Sequence, residues 1–242
     1  MLSFFKSKPF LKDILPANYT DIHNHLLPGI DDGAANVGIT STLIRGMKDL
    51  GISQAVATPH TFYNRYDSTI ESINQAFEKV QHESESPEFI TRAASEYMLD
   101  YTLIERAQRE QLLCIKDNYL LVELNLFSCP IDLYELLFEL KNKNYRIILA
   151  HPERYGYFHQ SLRKFEKLRD FEIDFQMNLL SIAGYYSKEV LDCTKELLEQ
   201  GFYSFTGTDI HHLQHIEFLK NNKLQTKKEG QLLELLQKNQ IF

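Results

Sequence analysis

The feature that most constrains the fold is the alternation of short β-type runs with longer segments of helical periodicity. Seven runs predict strands, over residues 19–23, 52–58, 89–94, 119–124, 146–150, 173–177 and 203–206. Six segments between them predict helices, over residues 35–50, 68–83, 100–112, 131–142, 162–170 and 188–200, and the tail after Gln214 predicts one or two more. Such alternation is typical of a parallel sheet. Seven units in 242 residues favour a single α/β domain, closed or nearly closed as a barrel.

Composition and charge exclude several classes of function. The formal net charge is −7 and no block of Lys or Arg occurs, which argues against nucleic acid as the main partner. Three widely spaced cysteines, Cys114, Cys129 and Cys193, lack a C-x-x-C pattern and are typical of reduced thiols in a cytoplasmic protein. No apolar run is long enough to predict stable membrane insertion.

The first 18 residues are predicted to be a short amphipathic lead-in to a domain over residues 19–242. This stretch mixes apolar residues with three lysines, and its apolar runs are too short for a signal-peptide core. We expect the lead-in to pack on the body of the domain. Docking of the lead-in against a membrane or a partner is the alternative.

Histidines and carboxylates cluster where the predicted strands end. His23 and His25 lie one residue apart at the end of the first strand, so their side chains would point to the same face. The ends of later strands carry His60, Glu96, Glu123, His151, Asp209 and His211. In parallel β/α barrels the carboxyl ends of the strands converge on the active site. We therefore expect these eight side chains to meet at one rim.

Eight nitrogen and oxygen donors at one rim predict a metal centre. They are too many for one tetrahedral zinc ion, and they suit two or three divalent ions that share carboxylates and keep an open coordination position. Mn, Zn and Fe all accept imidazole and carboxylate ligands. Arg154 follows His151 in the same loop, and its guanidinium suits a pair of phosphate oxygens. Adjacent ions can activate water and hold a phosphoryl group, so these residues predict metal-assisted phosphoester hydrolysis.

Six motifs also carry a resemblance to a known family. In chain order they are DIHNHLLPGIDDG, ATPH, SEYMLD, VELN, AHPERY and GTDIHH, spanning about residues 21 to 211. Together they resemble the PHP (polymerase and histidinol phosphatase) superfamily. More narrowly, they are similar to its bacterial protein-tyrosine phosphatases of the CpsB/CapC/YwqE type, which are linked to capsule and exopolysaccharide synthesis. The resemblance implies a distorted (β/α)₇ TIM-like barrel with three metal ions, Mn being the first expectation, and a metal-activated water as nucleophile.

The resemblance further implies a role for each motif residue. The eight donors named above would be metal ligands, Arg154 would hold the substrate phosphate, and Asp32 would act as general acid near the leaving group. The substrate would be phosphotyrosine in the tail of a membrane tyrosine kinase that controls polysaccharide chain length. The family pattern places a second basic residue, usually Arg, shortly after the last D-x-H. No Arg follows His211 over residues 212–216, so a protonated His212 or His215 is the expected substitute.

Three alternatives remain beside this prediction. A small-molecule phosphatase, such as a histidinol-phosphate phosphatase, would use the same fold with a closed pocket instead of an open, shallow site. A nuclease-like member of the superfamily is disfavoured by the acidic charge. A degenerate, non-enzymatic scaffold is disfavoured by the intact donor set. For Asp31 and Asp32 the structural alternative is a turn followed by a helix N-cap.

Overall fold

The strands of the molecule are short, and every paired strand is parallel to its neighbour. The computed structural model describes residues 8–159 and 161–242. Its strands are β1 (Thr20–Asp21), β2 (Gln54–Ala57), β3 (His60–Thr61), β4 (Ile90–Ala93), β5 (Glu96–Met98), β6 (Tyr119–Glu123), β7 (Arg146–Ala150), β8 (Asp174–Asn178) and β9 (Phe205–Gly207). They form two sheets, in the orders β1-β2-β4 and β3-β5-β6-β7-β8-β9. The predicted single-domain α/β fold with a parallel sheet is confirmed.

Helices connect most of the strands, as the periodicity predicts. They are α1 (Val37–Asp49), α2 (Ile70–Glu83), α3 (Tyr101–Arg109), α4 (Leu133–Asn142), α5 (Leu162–Asp170), α6 (Leu179–Ala183), α7 (Lys188–Glu199), α8 (Leu213–Asn221) and α9 (Glu229–Lys238). The short helix α6 was not predicted, because five residues directly after a strand give too little periodicity to recognise. Among the described residues, no helix is both long and apolar enough to cross a bilayer.

Two predicted strands, at residues 52–58 and 89–94, are each followed after a short break by a further strand that was not predicted, and these breaks connect the sheets. Only Thr58-Pro59 separates β2 from β3, and only Ala94-Ser95 separates β4 from β5. Pro59 has no N–H to donate to a neighbouring strand, which ends β2. The Pro59 carbonyl instead accepts hydrogen bonds from the Glu96 amide at 3.0 Å and the Ser95 hydroxyl at 2.9 Å. β3 and β5 therefore pair again beyond the break.

The sheets curl so that their outer ends approach each other. An isolated parallel bridge joins Asn24, which follows β1, to Ile210, which follows β9. The His25 amide donates to the Ile210 carbonyl at 3.0 Å, and the Asp209 amide donates to the His23 carbonyl at 2.7 Å. These bonds bring the first and last strand ends together, where the predicted metal ligands lie.

A small apolar cluster supports the strand ends from within the sheets. It is separate from the main core between sheets and helices, and it comprises Ile22, Val56, Ala94, Ile115, Leu121, Ile148, Ala150 and Phe205. Ile22 directly precedes His23, and Ala150 directly precedes His151. Close-packed apolar side chains leave little room for movement, so these histidines project from a rigid base.

The described part of the lead-in packs on the body of the protein. Leu11 is fully buried, and the Leu224 amide donates to the Pro9 carbonyl at 2.9 Å. The predicted lead-in also includes residues 1–7, which lie outside the described residues. Its division from a domain at 19–242 stays a prediction.

Candidate active site

All eight side chains predicted as metal ligands lie together, at or just beyond the carboxyl ends of β1, β2, β4, β6, β7 and β9. With Asp32 they form four overlapping groups, and within each group the ligand atoms lie within 4.8 Å of one another. The groups are His25, Asp32, His60 and His211; His23, His25 and Asp209; His23, Glu96 and His151; and His60, Glu96 and Glu123. His23, His25, His60 and Glu96 each belong to two groups, so neighbouring groups share ligands.

Glu96 occupies the centre of this arrangement. Its Oε2 lies 3.0 Å from His23 Nε2, 3.1 Å from His60 Nδ1 and 3.4 Å from His25 Nε2. Its Oε1 lies 3.1 Å from His151 Nε2. A fully buried carboxylate surrounded by four imidazoles fits a site for divalent cations, which accept both kinds of ligand.

The break between β2 and β3 positions two of these ligands. His60 opens β3 and Glu96 opens β5, and the two residues are direct partners in the parallel ladder. Uninterrupted strands would have continued the ladder of β2 and β4 past this point. The restart places the imidazole and the carboxylate at the same height, beside Glu123 at the end of β6, whose Oε1 lies 3.0 Å from His60 Nδ1.

Two candidate ligands have a left-handed backbone. His151 has φ +35° and Asp209 has φ +55°. Such conformations cost a non-glycine residue of order 1–3 kcal/mol and concentrate at functional sites. Each follows directly or closely on a strand, β7 or β9, and the turn redirects its side chain toward the cluster.

Buried polar atoms in the cluster lack the partners that buried polar atoms normally have. Within the described residues, His23 Nε2, His25 Nε2, His60 Nδ1 and Glu96 Oε2 have no hydrogen-bond partner of acceptable geometry. Most buried polar atoms in folded proteins are hydrogen-bonded. These four atoms face one another, and divalent cations among them would satisfy all four. The residues present therefore fit a metal centre.

Outer partners fix the orientation of two imidazoles. His23 Nδ1 lies 2.7 Å from Gln176 Oε1, and His25 Nδ1 lies 2.7 Å from Asp31 Oδ2. Each contact holds Nδ1 in a hydrogen bond and leaves Nε2 facing the cluster, as is usual for metal-binding histidines. Burial alone would raise the pKa of Asp31, but His25 and two backbone N–H groups outweigh it and lower this pKa.

Carboxylates determine the protonation of the cluster when no cation is bound. Burial alone would lower the pKa of His60, but Glu96 and Glu123 outweigh it and raise this pKa to about 10. The same balance, through Glu96 and Asp209, raises the pKa of His23. His211 differs, because burial and the nearby His25 ring lower its pKa to about 4. The metal-free cluster therefore carries protons that a cation would displace.

Asp32 and Arg154 line a pocket of about 200 Å³ above the cluster. The Asp32 side chain is 47% exposed, and its Oδ1 lies 3.5 Å from His211 Nε2 and 3.8 Å from His60 Nε2. Arg154 Nη1 donates to Asp209 Oδ2 at 2.9 Å, and its guanidinium lies 4.6 Å from the centre of the Tyr186 ring. Both residues are placed where a substrate phosphate could meet them, and their roles stay predictions.

His215 lies behind the cluster, and it is not among the described residues that line the pocket. It is buried on α8, and its Nδ1 accepts a hydrogen bond from the His211 amide at 3.3 Å. Burial and the neighbouring His212 lower the pKa of His215 to about 4. The structure thus places a neutral imidazole where the sequence led us to expect a protonated one, and its contact supports His211.

Several residues around the pocket were missed or undervalued from the sequence. Arg65 and Tyr66 line it, and the Tyr66 ring stacks on His60 with 5.4 Å between ring centres. Asn178 Nδ2 donates to Asp209 Oδ2 at 2.9 Å. Phe127 also lines the pocket. Their position in the sequence could have indicated a place near the site, since Arg65 and Phe127 each lie within five residues after a predicted ligand, His60 or Glu123.

Comparisons with known proteins agree with this geometry. The family model described as capsular polysaccharide synthesis, CpsB/CapC, matches residues 19–231. The chain is 25% identical over 202 residues to the putative tyrosine-protein phosphatase CapC of Staphylococcus aureus, covering 82% of this chain and 79% of that relative. It is 25% identical over 201 residues to the tyrosine-protein phosphatase YwqE of Bacillus subtilis (strain 168), with the same two coverages.

A solved structure shares the fold. It is described as YwqE from Bacillus subtilis and CpsB from Streptococcus pneumoniae, unique metal-dependent tyrosine phosphatases. Its TM-score is 0.75 at 22% sequence identity, over 90% of this chain and 94% of that chain. The family model spans most of the present sequence, including every candidate ligand. The predicted resemblance is therefore confirmed, and this protein belongs to the CpsB/CapC family.

Proposed function

We propose that this protein is a metal-dependent phosphoric monoester hydrolase that removes phosphate from phosphotyrosine in proteins. The observation that carries the proposal is the set of buried imidazole and carboxylate atoms without partners, which face one another below Arg154. The relatives described as tyrosine-protein phosphatases support phosphotyrosine as the substrate. The pocket above the cluster would place the phosphate beside both the cluster and Arg154.

The eight predicted ligands in the four overlapping donor groups would hold two or three divalent ions, with Asp32 left free of them. Mn is our first expectation, and Fe and Zn fit the same ligands. When bound, such ions supply Lewis acidity that activates water near neutral pH and neutralises phosphate charge. Gln176 and Asp31 keep His23 and His25 in the ligating tautomer through their 2.7 Å contacts.

Two guanidinium groups would hold the substrate phosphate. Arg154 is the first, and its bond to Asp209 leaves further N–H groups free to donate. Arg65 is the second, since it lines the same pocket and its exposed side chain makes no ion pair with a carboxylate in the described part of the chain. Arg65 would thus supply the positive charge that the sequence lacks after His211.

Asp32 would act as general acid. Its half-exposed carboxyl lies at the mouth of the pocket, near His60 and His211, and could donate a proton to the tyrosyl oxygen as that oxygen leaves. Tyr66 and Phe127 border the same mouth and offer aromatic faces to the departing ring.

Several finer statements belong to the same proposal. The two sheets would together form a distorted (β/α)₇ barrel closed by the Asn24–Ile210 bridge, with residues 1–18 as lead-in and 19–242 as phosphatase domain. The substrate would be the phosphotyrosine-containing tail of a membrane tyrosine kinase in polysaccharide synthesis. The description of the family supports this choice. A cytoplasmic location stays a prediction from the sequence.

Turnover of a phosphotyrosyl peptide, measured beside histidinol phosphate, tests the proposal. The protein is stripped with a chelator and assayed before and after Mn²⁺ is added back. We expect metal-dependent hydrolysis of the peptide alone, and loss of that activity in Arg154→Ala with metal content unchanged. Arg109→Ala, an exposed change on α3, is the matched control. Hydrolysis of histidinol phosphate alone would overturn the proposed substrate and favour a small-molecule phosphatase.

A further inference from the structure

Two large apolar side chains stand almost fully in solvent beside the pocket. Phe127 is 94% exposed and Ile131 is 98% exposed, and both lie in the loop between β6 and α4. Single exposed apolar residues are ordinary, but two in one loop at the edge of a candidate active site are typical of an interaction surface.

The loop borders a groove of about 380 Å³. The groove is lined by apolar and aromatic side chains together with basic ones. The residues that matter here are the apolar and aromatic Ile131, Tyr134 and Phe158, and the basic Arg163, Lys164 and Lys167 from the first turns of α5. We call this set the flank groove.

The charge of the flank groove is opposite to that of the whole chain. Arg163, Lys164 and Lys167 are exposed and form no ion pair with any carboxylate among the described residues, while the chain has a net charge of −7. Lys164 Nζ donates to the Tyr157 carbonyl at 2.7 Å, and Lys167 Nζ lies 3.7 Å from the centre of the Tyr134 ring. These contacts fix the cations in place without neutralising them.

No acidic side chain is among the described residues that line the groove. The acidic residue of the adjoining loop, Asp132, accepts a hydrogen bond from the Tyr101 hydroxyl at 2.7 Å, on the α3 side. Glu166 lies on α5 between Lys164 and Lys167, but it does not line the groove and forms no ion pair with these cations among the described residues. The basic residues of the flank groove therefore have no paired carboxylate. A ligand with carboxylates would supply one.

We propose that the flank groove binds an acidic segment beside the phosphotyrosine of the protein substrate, with an apolar side chain of that segment against Phe127 and Ile131. This inference rests on the proposed function and names the kind of substrate the site selects. Phe127 lines the phosphate pocket and Ile131 the groove, so the two lie at most about 14 Å apart along the loop. An extended peptide covers that distance in about four residues. The acidic residues would lie two to five positions, roughly, from the phosphotyrosine.

A second copy of this chain is the competing occupant, and the charges disfavour it. In a two-fold contact the same surface meets itself. Arg163, Lys164 and Lys167 would then face their own counterparts with no carboxylate among the described lining residues to separate them. Like charges placed together weaken an interface, so an acidic peptide suits this groove better than a copy of the protein.

Two peptides with the same phosphotyrosine test the inference, one with acidic flanks and one with neutral flanks, and free phosphotyrosine serves as the reference. We expect KM for the acidic peptide to be about tenfold lower than for the neutral peptide at low salt, with similar kcat. The difference should shrink as salt screens the exposed charges. Equal KM values for the two peptides at low salt, with free phosphotyrosine hydrolysed normally, would overturn the proposed role of the flank groove and leave the proposed function intact.

Variants separate the groove from the catalytic site. We expect Lys164→Glu with Lys167→Glu to raise KM for the acidic peptide about tenfold, and turnover of free phosphotyrosine to stay unchanged. The matched control is Lys227→Glu with Lys228→Glu, the same charge change on the exposed turn between α8 and α9. An equal effect of the control pair would contradict a local role for the groove.

The apolar part has its own variant. Ile131→Ser should weaken binding of the acidic peptide about threefold to tenfold, whereas Ile39→Ser, at an exposed position of α1, should not. Fluorescence anisotropy of the labelled acidic peptide, with protein from which metal has been removed by a chelator, compares the same variants without hydrolysis. Peptide binding at the groove can therefore be tested even if the protein shows no phosphatase activity. If Ile131→Ser changed the sedimentation of the protein but not its affinity for the peptide, the groove would be a site of self-association instead.

Discussion

At the scale of single residues, Asp31 joins three parts of the site without facing the cluster itself. Its Oδ2 lies 2.7 Å from His25 Nδ1 and accepts the His60 amide at 2.9 Å, and its Oδ1 accepts the Gly33 amide at 2.9 Å. One carboxylate therefore orients an imidazole, anchors the start of β3 and closes the turn that carries Asp32.

Asp31→Asn should weaken metal binding by about 10- to 100-fold. The amide has one accepting oxygen where the carboxylate has two, so at least one of the three donors loses its partner. Competition of a chromophoric chelator for Mn²⁺ measures the affinity. Asp49→Asn, an exposed aspartate paired with Lys220, is the control. Unchanged affinity in Asp31→Asn would show that the second carboxylate oxygen contributes nothing to metal binding.

Arg65→Ala should lower kcat/KM for phosphotyrosyl peptides about 10- to 100-fold, because one charge-assisted hydrogen bond to phosphate is worth about 1.5–3 kcal/mol. Arg65→Lys should restore part of the loss, since a single ammonium keeps the charge but not the fork. Metal content by elemental analysis should stay at the wild-type level in both. If Arg65→Ala and the Arg109→Ala control behaved alike, the pocket would hold phosphate through Arg154 alone.

The residue types of the site could be predicted from the sequence, but the separate role of each residue could not. Imidazoles and carboxylates at strand ends predicted the cluster, because parallel strands end at one edge. Asp31 and Asp32 are neighbours in the chain, and only the turn at Gly33 directs one inward and the other to the pocket mouth. Likewise, nothing local distinguishes Arg65 from a surface arginine, or shows that α8 buries His215.

At the scale of elements, close approaches between strands hold the ligands in place. Gly207 in β9 has no space for a side chain. A Cβ there would lie 2.5 Å from His23 Cβ and 2.8 Å from Gln176 Nε2. The absence of a side chain lets β9 approach the segment that carries the first two histidines.

Gly207→Ala should destabilise the protein by about 1–3 kcal/mol, the usual cost of an added methyl in a packed site. The displaced Gln176 should also release His23, so Mn²⁺ affinity should fall in the same variant. Thermal unfolding and chelator competition measure the two effects. Gly230→Ala, where nothing lies within 4 Å in the first turn of α9, should be neutral or slightly stabilising. Equal melting temperatures for Gly207→Ala and Gly230→Ala would argue against a close approach of β9 to His23 and Gln176.

The strand breaks were the part of the fold that the sequence did not show. The strands predicted over residues 52–58 and 89–94 correspond to β2 and β4, and the short strands β3 and β5 that follow them were not predicted. Pro59 was a visible signal for the end of β2. No comparable signal marks the restart at Glu96, because the pairing of β3 with β5 depends on contacts between distant parts of the chain.

At the scale of the whole molecule, metal loading is coupled to protons. The pKa of His60 is raised to about 10 in the metal-free protein, and those of His23 and His25 are raised as well. Since a cation binds the deprotonated imidazoles, loading must release protons, and affinity should rise with pH and fall as pH decreases. Metal binding should also raise the melting temperature, because the ions bind the folded state.

Calorimetry in two buffers of different ionisation enthalpy measures this coupling at neutral pH. We expect more than one proton to be released per protein molecule on saturation with Mn²⁺. No proton release should be seen when Mn²⁺ is added to protein that is already loaded with metal, which is the internal control. Binding without proton release would mean that the imidazoles are neutral before the cations arrive.

The position of Glu96 has a consequence for how this protein fills with metal. Its two oxygens lie within 3.4 Å of nitrogens from four different histidines, and two of the four donor groups depend on it. Binding of a first ion would therefore leave Glu96 and its neighbouring imidazoles deprotonated and oriented for the next ion. Partly loaded molecules should be scarce, and activity should rise with metal concentration along a sigmoidal curve, so that a modest decline in metal supply would turn off the whole population of the enzyme rather than slow each molecule a little.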